Sequence, residues 1–166
     1  TCNSSYEHSP AKPYFDDLAQ HYCIRRYHNL GSNPNYIRLS QALDDLRGFV
    51  PDLIIALGGG SVIDYAKLIS LYSRNPDIYK YSFERPFDIN PISPIVAIPT
   101  TAGSGSEATH FAVLYKNGVK YSISHPSMLP SHVVIDPVLS KSMPPYITAC
   151  TGMDALCQGI ESLWAN

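Results

Sequence analysis

The sequence predicts an α/β fold in which a doubly wound parallel sheet carries a β-hairpin and is followed by the start of an all-helical region. Three observations predict it. The short apolar runs 53–57 (Leu-Ile-Ile-Ala-Leu) and 95–98 (Ile-Val-Ala-Ile) are what parallel strands covered on both faces look like. Stretches of helical period alternate with them, and the order strand, helix, strand, helix builds a parallel sheet with crossover helices. Two apolar segments flank Lys116-Asn117-Gly118, and Asn-Gly is the strongest short-range hairpin signal.

Taken in order, residues 1–10 are polar and read as a loop that follows an upstream strand. Residues 11–22 place Tyr14, Leu18 and Tyr22 on one helical face, and 23–28 (Cys-Ile-Arg-Arg-Tyr-His) read as a short strand. Gly31-Ser32-Asn33-Pro34 is a turn. Ile37, Leu39, Leu43 and Leu46 recur near helical period, and Gly48 stops that helix. Pro51 and Asp52 lead into the first buried strand, residues 62–72 form its helix, and Arg74-Asn75-Pro76 ends it. Residues 77–94 are irregular and proline-punctuated, a surface excursion before the second strand. Residues 133–137 read as a last strand, and 146–164 as a helix after Pro144-Pro145. This change from strands to helix places a domain boundary near Pro144.

A chain of 166 residues suits one domain, or one with part of a second, and can bury a real core. Its net charge of -2, with no Lys/Arg stripe, gives no footprint for nucleic acid or an anionic membrane surface. No segment approaches the ~20 apolar residues of a membrane span, and the start shows no signal-peptide pattern. Cys2, Cys23, Cys150 and Cys157 form no C-x-x-C pair and read as reduced thiols. The expected location is the cytoplasm. The chain opens at Thr1 without Met and stops at Asn166 within a helical run, so it reads as part of a longer protein.

Gly58-Gly59-Gly60-Ser61, between a buried strand and a helix, is the most informative stretch. Glycines let the backbone turn tightly and approach a ligand. Ser61 is placed to cap the helix, whose first amides and positive dipole end form an anion site suited to a phosphate or pyrophosphate. On local residues alone, a turn that serves only close packing stays equally open. The spacing is neither G-x-G-x-x-G nor the P-loop. Gly103-x-Gly105-x-x-Ala108 does match the former, but a hairpin follows it where a long helix is needed, so the match is a false positive. Thr100, Thr101, Ser104 and Ser106 nonetheless offer hydroxyls for a phosphate, a ribose or an amide, or for the loop's own backbone.

Asp154 and Gln158 lie four apart, one above the other on a helix face, and two such residues cannot complete a metal site. His8, His21, His28, His110, His125 and His132 show no H-x-x-x-H or H-E-x-x-H arrangement. No G-x-S-x-G elbow supports a hydrolase triad. Lys120 reads as a solvated charge, and Cys157 as a buried structural thiol or a reactive one.

Four blocks in one order carry a resemblance to a known family. They are Gly58-Gly59-Gly60-Ser61-x-x-Asp64-x-Ala66-Lys67, then Pro99-Thr100-Thr101-Ala102-Gly103-Ser104-Gly105-Ser106-Glu107, then Leu129-Pro130 with Ile135-Asp136-Pro137, and Thr151-Gly152-x-Asp154-Ala155-Leu156. With them the chain resembles the iron-containing alcohol dehydrogenases, whose superfamily also holds glycerol dehydrogenases and dehydroquinate synthases. The resemblance implies a Rossmann-like nucleotide-binding domain over 1–144, its first strand lying upstream, and at 145–166 the first helix of a helical domain, with the active site in the cleft between the two. It implies that Gly59, Gly60 and Ser61 hold the pyrophosphate of NAD or NADP, and that Asp64 of the same block belongs to the cofactor-binding set. Thr100, Thr101 and Ser104 then meet the rest of the cofactor, and Lys120 and Leu129 close on its ribose and base. Asp154 matches the first ligand of a divalent metal, iron or zinc. Gln158 stands where the family has a His, and a neutral amide is a poorer donor to a transition metal than imidazole. Two further His ligands would fall beyond Asn166. The Gln158 block, ending in Glu161-Ser162-Leu163-Trp164, is similar to that of reductases of phosphonoacetaldehyde-like substrates.

The resemblance therefore implies an NAD(P)-dependent alcohol dehydrogenase or aldehyde reductase acting on a small alcohol or aldehyde, with a homodimer as the expected assembly. The absence of an Asp from Thr1-Cys2-Asn3-Ser4-Ser5, read as the loop that meets the adenosine ribose, leans towards NADP. A cyclase of the dehydroquinate type and a nucleotide-binding segment without catalysis are the alternatives, and residues 1–166 alone are expected to be inactive.

Overall fold

The computed structural model describes residues 1, 6–28, 30–74 and 93–165. Among them are helices α1 (Lys12–His21), α2 (Tyr36–Asp45), α3 (Gly60–Tyr72) and α4 (Pro145–Trp164), and strands β1 (Ile54–Gly58), β2 (Ile95–Pro99), β3 (Phe111–Lys116), β4 (Val119–Ser124) and β5 (His132–Val133). The two apolar runs pair in parallel, from Ile54 opposite Ile95 to Gly58 opposite Pro99. Strand β5 adds to the other side of β2, also parallel, giving the order β1-β2-β5. Both expected buried strands are thus formed, and β2 is central.

Helix α3 is packed against both the sheet and the hairpin, and its residues beyond the first turn are mostly apolar and buried. One side, Ile63 and Ala66, packs on Ala56, Ile95 and Ala97 of the sheet. The other side, with Tyr65, Leu68, Ile69 and Tyr72, meets Leu39, Ala42 and Leu43 of α2, Ala112, Leu114 and Ile123 of the hairpin, and Met128. Each fully buried Leu or Ile contributes roughly 1.5–3 kcal/mol. Asn35 caps α2 by accepting from the Ile37 amide at 2.8 Å, and its own amide donates to the hydroxyl of buried Tyr65 at 2.7 Å. This hydrogen bond fixes the 31–35 turn against α3.

Strands β3 and β4 pair in antiparallel register from Phe111 opposite Ser124 to Lys116 opposite Val119. At the tip, Asn117 and Gly118 have φ of 51° and 78°, the left-handed pair that a two-residue hairpin turn requires.

Two sequence expectations change, and a third falls mostly outside the described residues. Residues 23–28 form no strand, because their backbone joins no ladder among the described residues. The last strand is shorter and earlier than 133–137: Asp136 accepts from the Val138 amide at 2.9 Å and starts a 3-10 turn at Pro137–Ser140, which ends extended pairing. The expected excursion lies outside the described residues except for Ser93 and Pro94; Ser93 is buried and accepts from Ser70 Oγ through its carbonyl at 2.6 Å. No described helix is long and apolar enough to cross a membrane. Cys23, Cys150 and Cys157 are free thiols and exposed.

Candidate functional site

Because Gly58 sits opposite Pro99, the loops after β1 and β2 leave the sheet at the same level and side by side. The first is the glycine turn. Helix α3 starts at once from Gly59, whose carbonyl accepts from Val62 N at 2.9 Å and Ile63 N at 3.2 Å. Ser61 therefore lies inside the first turn and does not cap it, contrary to the sequence reading. Its Oγ instead accepts from the Asn33 amide at 3.2 Å, tying the 31–35 turn to the start of α3. Beside this contact opens a cavity of about 320 Å³ lined by Gly31, Ser32, Asn33, Asn35, Arg38 and Tyr115.

The second loop lies directly on the first. Thr100 N donates to Gly58 O at 3.1 Å. A Cβ at Gly59 would stand 3.0 Å from Thr101 Oγ1, and one at Gly60 would stand 2.5 Å from Ser104 Oγ and 2.9 Å from its Cβ. Only residues without a side chain let the hydroxyls of Thr101 and Ser104 come this close to the helix start. The first amides of a helix have no intrahelical acceptor, so unpaired N–H groups, the dipole end and two hydroxyls converge here. This chemistry suits a phosphate or pyrophosphate.

Beneath the loop lies a polar cluster that sequence reasoning missed. Lys67 is fully buried, and its Nζ donates to Ser106 Oγ at 3.2 Å, Thr109 Oγ1 at 3.1 Å and Phe111 O at 2.7 Å. Ser106 Oγ donates to Asp64 Oδ1, and Val113 N donates to Asp64 Oδ2 at 3.1 Å. The Ser106 hydroxyl thus points inward and not to a guest, because Asp64 and Lys67 both claim it. Both carboxylate oxygens of Asp64 likewise bind the loop and hairpin. Burial pushes the Lys67 ammonium below its ordinary range, opposed by the charges of Asp64 and Glu107. The available signal was an Asp and a Lys three apart within an otherwise apolar helix.

Lys120 is exposed on β4, paired with Tyr115, and Leu129 is half-exposed just after the buried Met128. Helix α4 meets the hydroxyl loop at Gly103, where a Cβ would lie 2.6 Å from the Thr151 carbonyl. Asp154 and Gln158 follow on α4, exposed, with Gln158 Nε2 donating to Asp154 Oδ1 at 3.0 Å. One carboxylate and one amide bonded to each other do not hold a metal by themselves, and no group of three or more His, Cys, Asp or Glu is placed to do so among the described residues.

A parallel α/β sheet with a glycine turn and a hydroxyl loop at adjacent strand ends defines a class of protein that binds ligands at those ends. The particular family follows from comparison: the family described as iron-containing alcohol dehydrogenase matches residues 1–137, and the chain belongs to it. An alcohol dehydrogenase of Thermococcus barophilus is 36% identical over 138 residues, covering 79% of this chain and 36% of that protein. An NADPH-dependent butanol dehydrogenase of Clostridium saccharobutylicum is 36% identical over 139 residues, covering 81% of this chain and 36% of its own length. The structure of sulfoacetaldehyde reductase from Bifidobacterium kashiwanohense in complex with NAD+ is similar at a TM-score of 0.78 and 31% identity, over 94% of this chain and 44% of that one. The chain thus spans about a third of the curated relatives it matches.

Proposed function

We propose that this chain forms the dinucleotide-binding part of an oxidoreductase that moves a hydride between NAD(P)(H) and a small alcohol or aldehyde. The observation that carries the reading is the fit of Thr101 and Ser104 over Gly59 and Gly60, which leaves backbone amides and hydroxyls but no side chain where a pyrophosphate would lie. Gly59, Gly60 and Ser61 hold that pyrophosphate, and Thr100, Thr101 and Ser104 meet the rest of the cofactor. Asp64 serves from behind, by fixing Ser106 and Val113. Lys120 and Leu129, both exposed, close on the ribose and base. When bound, the nicotinamide supplies or accepts the hydride. The protein's own task is to hold the dinucleotide in one orientation and exclude water.

NADP is the favoured form, supported by the lack of an acidic residue in 1–5 and by the NADPH dependence of the clostridial relative. Asp154 is the candidate ligand for iron or zinc, with Gln158 beside it as a weak neutral donor. Residues 1–144 form the nucleotide domain and 145–166 the opening of a helical domain; the exposed Met153, Leu156, Ile160 and Trp164 on α4 support that division. A cytoplasmic homodimer completes the reading.

Calorimetric titration of the full chain with NADH and NADPH tests the site. Binding of at least one is expected, with NADPH tighter; binding of neither overturns it. Loss of 340 nm absorbance on mixing the full-length protein that contains this chain with NAD(P)H and short aldehydes tests the reaction.

A further inference from the structure

We infer that Lys67 is a positioning residue for the dinucleotide site: through Ser106 it holds the hydroxyl loop down on the first turn of α3. The inference rests on the dinucleotide reading above. Lys67 has no exposed surface, and its three donors meet acceptors on three residues of one segment, Ser106, Thr109 and Phe111. That segment joins the hydroxyl loop to β3, and Asp64, one turn earlier on α3, grips it again at Ser106 and Val113. The chain of contacts continues to the site surface. Ser106 N donates to Ser104 Oγ at 3.4 Å, and Ser104 is the side chain that faces Gly60. A displacement of Ser106 therefore moves the hydroxyl that roofs the glycine turn.

Packing alone does not call for a lysine here. A Met would fill much the same volume without the cost of burying an ammonium. What Met lacks is the ability to bind three oxygen acceptors at once, and those acceptors set the path of 106–111. A fully matched buried charge of this kind specifies one geometry where an apolar contact allows several.

The test compares the unchanged full chain with Lys67→Met, Ser106→Ala and a control, Ser70→Ala. Ser70 is equally buried on the same helix, but its hydroxyl donates to Ser93 O and has no link to the loop. Fluorescence titration with NADH and NADPH gives the affinities, and circular dichroism monitors the fold. Lys67→Met and Ser106→Ala are expected to weaken binding about tenfold or more with the fold retained. In the full-length protein that contains this chain, steady-state kinetics should show the dinucleotide KM rising while the aldehyde KM stays. Ser70→Ala should lower Tm and leave affinity alone. If Lys67→Met does not fold, Ser106→Ala carries the test. Affinities within twofold of the unchanged chain would overturn the inference, as would an equal loss in Ser70→Ala. An unchanged chain that binds neither dinucleotide overturns the site itself, and this role with it.

Discussion

Gly103 and Thr151 meet with no side chain between them. A Cβ at Gly103 would stand 2.6 Å from the Thr151 carbonyl oxygen and 3.0 Å from its Cβ, so the hydroxyl loop rests on the backbone of the helix that carries Asp154. Gly103→Ala has to displace that backbone, since no flexible side chain can yield in its place. A loss of about 1–3 kcal/mol is expected, read as a lower Tm. An unchanged melting curve would mean that loop and helix are not seated this way in solution.

Gly60→Ala separates folding from binding. Ala is the better helix former by about 1 kcal/mol, but its methyl would meet Ser104 Oγ at 2.5 Å, on the surface proposed for the pyrophosphate. Titration with NADPH should show affinity lowered by about tenfold or more, with the helical signal in circular dichroism intact. Retained affinity would place the dinucleotide elsewhere.

At the metal position, Gln158→His replaces a neutral amide with an imidazole one turn from Asp154. Titration with Zn²⁺ should show affinity raised by at least about tenfold, because imidazole is the stronger donor to that ion. No gain would argue that Asp154 does not face a metal in this chain.

Alkaline stability reads the core. Burial raises the Tyr72 hydroxyl to about 12, above its ordinary 10.0. Between these values the unfolded chain releases a proton that the folded chain keeps, so stability falls as pH rises. The contribution reaches ~2–3 kcal/mol near pH 12. Tyr72→Phe should flatten the dependence of the urea midpoint on pH above 10. The buried ammonium of Lys67 acts with the opposite sign: its lowered value means that stability rises with pH up to 10.5. Tyr72→Phe leaves that slope in place, and an unaltered slope above pH 10 would show that Tyr72 ionises in the folded state as it does in water.

Much of this architecture is legible in the sequence. The runs at 53–57 and 95–98 read as buried strands and Asn117-Gly118 as a tight turn, and each is found; α2 ends at Asp45, three residues before the expected stop at Gly48, which has φ of 78°. Polar side chains are harder to read. Periodicity states which face of a helix is apolar, but not which distant segment will claim a hydroxyl, so Ser61 reads as a cap of its own helix yet binds Asn33, and Ser106, open in the sequence between a ligand and its own loop, binds Asp64 and Lys67. The short run at 23–28 failed for a related reason: strand propensity describes a residue's fit to a sheet, and no ladder is present beside it among the described residues.

The core also sets an order of events during synthesis. Leu39 and Leu43 are buried against Leu114, Ile123 and Met128, so the helix that carries them has no completed shelter when it leaves the ribosome. Roughly seventy residues separate Leu43 from Leu114, a wait of about 4–14 s at ordinary elongation rates. For that interval the faces of α2 and α3 that the hairpin covers stay open, and the hairpin is the piece whose arrival closes the window.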